Sequence, residues 1–72
     1  MVTKQHVRNF MRNELYDLDS EVWEQGEVNY TRLAEEAAHY FGYDEWLDDE
    51  THWVWDLALQ EGERAEKARR SK

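Results

Sequence analysis

The chain has no cysteine and no proline, and only three glycines among its 72 residues. Without cysteine there is no disulfide staple and no thiolate to ligate a metal. No proline interrupts a helical pattern. The glycines stand alone at 26, 42 and 62, so no glycine-rich loop is available to cradle a phosphate. No apolar run approaches 18 residues, the length at which a membrane span is read. The opening MVTKQHVRNF has neither an apolar core nor a small-residue cleavage site, so it does not read as a secretory signal. Lysine is scarce, at positions 4, 67 and 72 only. These absences point to a cytoplasmic chain without a membrane partner.

What is present is aromatic and acidic. Four Trp, four Tyr and two Phe supply burial that a chain this short otherwise lacks. A hydrophobic content of 40% argues against full disorder. The charge is sorted into blocks. Residues 1–12 carry Lys4, Arg8 and Arg12 and no acid; residues 13–63 carry sixteen acids against Arg32 alone. Residues 64–72 return five bases against Glu66. The formal net charge is −8, and the middle block repels itself unless basic ends, counter-ions or a basic partner offset it. The same balance argues against direct contact with nucleic acid.

The apolar spacing predicts an all-α, compact three-helix bundle. The first helix spans 4–18, capped by Thr3 and striped by Val7, Phe10, Met11, Leu15 and Leu18. Residues 19–28 form the first connection, read as a short helical turn that packs Val22 and Trp23 on the core and ends at Gly26. The second helix spans 30–41, with Asn29 as N-cap, Val28 and Leu33 as a staple, alanines 34, 37 and 38 on its buried arc, and Gly42 as its stop. The third spans 46–62, with Asp44, Asp48 and Asp49 as alternative N-caps and Gly62 as a candidate end. Residues 1–63 make one domain, and 64–72 read as a flexible basic tail.

The apolar residues of the third helix cover about 240°, far more than the usual stripe of roughly 100°. Trp53, Val54, Leu57 and Ala58 can face the bundle, which leaves Trp55 and Leu59 either buried on a second side or exposed as an apolar anchor.

No motif carries chemistry. The run Asp44–Glu50 lacks the turn glycine and spacing of a calcium loop. Glu36–His39 and Asp49–His52 have the Glu/Asp-x-x-His step of carboxylate-bridged metal sites, but on the polar arcs of their helices rather than inward. His52 adjoins Thr51, and neighbours on a helix diverge, so they make no nucleophile–base pair. The segment ending at Gly42 has part of a helix-turn-helix pattern. Asp48 and Thr51 stand where its apolar positions should be.

The sequence therefore predicts a non-enzymatic interaction module with no cofactor and no metal. Its acidic face is Glu35, Glu36, Asp44, Glu45, Asp48, Asp49, Glu50 and Asp56, and its partner is a protein with a basic surface. The sharper form is nucleic-acid mimicry. The alternatives are self-association through Trp55 and Leu59, acidity that reflects solvation or high-salt adaptation, and a small helix-turn-helix-like regulator.

Overall fold

A computed structural model describes residues 2–70. Three helices, α1 (Lys4–Tyr16), α2 (Tyr30–Phe41) and α3 (Trp53–Arg70), pack around one apolar core. Two strands, β1 (Trp23–Glu24) and β2 (Glu27–Val28), form a minor hairpin between α1 and α2, and a 3-10 helix (Asp44–Asp48) joins α2 to α3.

Local chemistry sets the helix ends. The Thr3 hydroxyl accepts from the His6 N–H, and the His6 ring accepts from the Thr3 N–H, a reciprocal cap on α1. The Asn29 side chain accepts from the Arg32 N–H at 3.0 Å. Gly42, at φ 75°, ends α2 in the left-handed conformation, and the Tyr43 N–H returns to the Ala38 carbonyl.

Val7, Met11, Leu33, Val54 and the alanines 34, 37, 38 and 58 are fully buried. The small alanine faces let α2 approach its neighbours closely, as their spacing implies. α1 and α3 run in the same direction: Lys4 lies over Trp53, Arg8 and Arg12 reach Glu61, and Leu15 and Ala65 line one groove. α2 runs against both, with Tyr30 near Gly62 and Tyr40 stacked on Phe10.

Four local expectations change. The first connection is a hairpin, not a helical turn. Gln25 (φ 53°) and Gly26 (φ 84°) both take positive φ, the signature of a two-residue turn that matches strand twist. That turn pairs Trp23 with Val28. α1 stops at Tyr16, and Leu18 lies beyond it, 54% exposed.

The third helix begins at Trp53 rather than near 46, because Asp49 spends its carboxylate on a local turn. Its Oδ1 accepts from both the Thr51 N–H and hydroxyl, and the chain is still turning there. His52 supplies the cap instead, its Nδ1 accepting from the Val54 N–H at 3.2 Å.

α3 also continues past Gly62 to Arg70, so residues 64–70, expected as a flexible tail, are helical; residues 71 and 72 lie outside the described residues. Good helix formers and a basic last turn of Lys67, Arg69 and Arg70 favour this. Tertiary anchors complete it. Glu66 accepts from the Val28 N–H and the Tyr30 hydroxyl, and the Arg69 guanidinium lies 5.0 Å from the Trp23 ring centre.

Candidate functional site

The acidic residues gather around the junction of α2, the 3-10 helix and the start of α3. This region has little regular hydrogen bonding of its own, so aromatic stacking holds it. Trp46, buried to 8% exposure, stacks on Tyr43 at 4.7 Å and on His52 at 5.2 Å. Trp53 leans on both Trp46 and His52. The Trp55 indole N–H donates to the Trp46 carbonyl at 3.1 Å. Rings at these spacings are attractive beyond the area they bury, so a short irregular segment gains a rigid base.

Carboxylates project from that base. Asp44, Glu45, Asp48, Asp49, Glu50 and Asp56 are all exposed, and no Lys or Arg lies between 44 and 56. Two Thr51 hydrogen bonds, the hydroxyl first, hold the Asp49 carboxyl below its ordinary range. Asp44 lies 3.4 Å from the exposed His39 ring. Glu45, Asp48, Glu50 and Asp56 make no ion pair among the described residues.

Three of the chain's arginines, Arg8, Arg12 and Arg32, are spent on other acids. Arg32 pairs with Glu21 and lies 3.2 Å from Glu36 and 3.9 Å from Glu35; the Glu21 hydrogen bond, then its charge, raises the guanidinium pKa. Glu35 and Glu36, half-buried around Arg32, therefore belong to a separate, locally compensated cluster on α2. Arg12 Nε donates to the buried Glu61, and Arg8 stands 3.9 Å from the same carboxylate. The expected acidic face thus divides into a part at 35–36 paired with Arg32 and a part at 44–56 that no Lys or Arg pairs among the described residues.

Trp55 and Leu59 also separate. Trp55 is half-buried against the core and anchored by its N–H, whereas Leu59 is 46% exposed. Among the described residues no three His, Asp or Glu side chains converge on a point that could hold a metal ion. Glu36 faces Arg32, His39 is exposed, and His52 is stacked between indoles. α2 and α3 are separated by residues 42–52, longer than the three- or four-residue turn of a helix-turn-helix.

The sequence reading passed over Glu61. It stands on the buried arc of α3 with Leu57, Ala58 and Gly62. An acid at an apolar register position, with Arg8 and Arg12 spaced i, i+4 on another helix, is the signal that marks it.

No family model, no curated protein and no solved structure matches this chain. No helix among the described residues is long and apolar enough to cross a membrane.

Proposed function

We propose that the chain is a non-enzymatic, cytoplasmic binding module that docks its acidic end, residues 44–56, on a basic protein surface. One observation carries this reading: six carboxylates stand on a stacked aromatic base while Arg8, Arg12 and Arg32 pair with acids elsewhere. Burial of such a face against Lys and Arg would relieve its self-repulsion and steer the encounter. A rigid array of carboxylates resembles a phosphate backbone in charge, so the partner class is a protein that itself handles nucleic acid. Leu59, rather than Trp55, serves as the apolar anchor in this reading.

The test is capture by the immobilised chain at low and high salt, with mass spectrometry as readout. Wild type is expected to retain basic, nucleic-acid-handling proteins at low salt, release them at high salt, and lose them to competing duplex DNA. The triple variant Glu45→Gln, Asp48→Asn, Asp49→Asn should fail to capture them while remaining folded. Asn at 49 keeps an oxygen for the two Thr51 bonds. Equal capture by the triple variant would sink the acidic-end reading.

A further inference from the structure

The end of the molecule remote from the acidic segment has the opposite character. The C-terminal halves of α1 and α3 flank an open groove of about 560 Å³. Leu15, Ala65 and Ala68 contribute apolar surface to it, and Tyr16 and Leu18 stand beside them 90% and 54% exposed. The observation that counts is their grouping: Tyr16 and Leu18 line the same groove as Leu15, Ala65 and Ala68, whereas an exposed apolar side chain standing alone is ordinary.

The groove's polar members are mainly cationic: Arg12, Arg64 and Arg69 line it, in a chain whose net charge is −8. Arg12 uses Nε for Glu61, which leaves its two terminal nitrogens as donors. Arg64 makes no ion pair among the described residues. Three carboxylates in this part of the chain are turned into local bonds, while Asp19 and Glu63 are exposed. Glu61 is covered by Arg8 and Arg12, Glu14 accepts from the Ser20 hydroxyl, and Asp17 accepts from the Asp19 N–H.

We propose that this groove is a docking site for an acidic amphipathic helix of a partner protein. Ala65 and Ala68 let a helix backbone approach, Tyr16 and Leu18 cover its apolar ridge, and the three guanidiniums meet carboxylates on its flanks. A symmetric pairing of two copies would set Arg64 and Arg69 of each against those of the other. The chain's own acidic segment keeps Trp46 turned inward and so offers no apolar helical ridge. A phosphate polymer has no ridge to fill the apolar part and meets a strongly acidic molecule beyond it.

The site is independent of the acidic end and is tested apart from it. The probes are two fluorescein-labelled designed helical peptides of about 18 residues, five turns, with the same leucine ridge. One is flanked by Glu and the other by Gln. Anisotropy is read at about 0.15 M salt, where screening confines electrostatics to the groove itself. The Glu peptide is expected to bind the full chain saturably and about tenfold more tightly than the Gln peptide. Arg64→Glu and Leu18→Glu, both at exposed positions, should each weaken it about tenfold with an unchanged circular dichroism spectrum. The triple variant at 45, 48 and 49 should bind it as wild type does. Absence of saturable binding, equal binding of the two peptides, or indifference to both groove variants would overturn the proposal. So would a concentration-dependent dimer that Leu18→Glu abolishes, since a second copy would then be the occupant.

Discussion

Gly62 lies directly beneath the ring of Tyr30: a β-carbon at 62 would stand 2.7 Å from Tyr30 Cδ1, closer still to Cε1, and 3.1 Å from Val28 Cγ1. The Tyr30 ring cannot swing aside freely, because its hydroxyl donates to Glu66. Helix propensity alone would make Gly62→Ala stabilising by about 1 kcal/mol. Overpacking costs about 1–3 kcal/mol, so the clash wins. Gly62→Ala should lower stability by about 1 kcal/mol and Tm by about 5 °C in a thermal melt. A rise in Tm would mean that the ring yields.

The same hydroxyl makes stability pH-dependent at both ends of the scale. Hydrogen bonds, chiefly from Tyr30 and then from the Val28 N–H, lower the Glu66 pKa. A carboxyl depressed on folding contributes stability above its unfolded value, about 4.3, and that stability disappears as pH falls through the folded value. Burial, followed by the Glu66 hydrogen bond, raises Tyr30 from 10.0 to about 12. Its contribution is complete below pH 10 and disappears as pH rises towards 12. Absorbance at about 295 nm should show one of the tyrosines ionising above the rest, and Tyr30→Phe should remove that component. Urea midpoints of Tyr30→Phe should also fall less steeply than wild type below pH 5. Superimposable pH profiles would refute the coupling.

Glu61 and Arg12 form an ion pair with unequal burial, their side chains 7% and 45% exposed. Removing the exposed partner leaves a buried charge, whereas removing the buried one releases an arginine to water. Arg12→Ala should therefore cost about 2–3 kcal/mol, and Glu61→Leu about 1 kcal/mol or less. Equilibrium urea unfolding of both single variants and the double variant measures the order. Equal costs would show that Arg8 takes over the pairing.

Gln25 holds φ at 53°, a conformation that asparagine tolerates better. Gln25→Asn should stabilise the hairpin by about 0.5 kcal/mol and raise Tm by a few degrees. A lower Tm would mean that the glutamine side chain makes a compensating contact.

Trp46 is the base of the acidic end. Replacing a buried Trp with Ala typically costs about 3–5 kcal/mol. Trp46→Ala should therefore unfold much of this short chain near 37 °C, read as lost far-ultraviolet ellipticity. Retention of the wild-type melt would show that the stack around residues 43–53 is dispensable.

The three helices were legible because periodicity and caps agree: Thr3, Asn29 and Gly42 act where their chemistry places them. The hairpin was hidden because Gln-Gly is a weaker turn signal than Asn-Gly, and strands of two residues carry no alternation to count. The start of α3 was misplaced because three aspartates all look like caps, and sequence cannot tell that Asp49 is occupied by Thr51. The helical extension to Arg70 rests on Glu66 finding Val28 and Tyr30, 38 and 36 residues away, a contact that no local pattern announces. The acidic residues themselves were plain. Their division, with Glu35 and Glu36 claimed by Arg32 and residues 44–56 paired with no Lys or Arg among the described residues, is a structural fact.

The parallel course of α1 and α3 has a practical corollary for attachment. Lys4 stands over Trp53 at the acidic junction, whereas Arg69 stands over Trp23 beside the hairpin, and the helix from Trp53 to Arg70 is 18 residues long. A helix of that length spans about 27 Å, most of the 36 Å long axis. A fusion or linker joined at the N-terminal side therefore crowds the carboxylates and leaves the arginine-lined groove open. One joined at the C-terminal side does the reverse, so each surface is best presented by tethering the chain from the other.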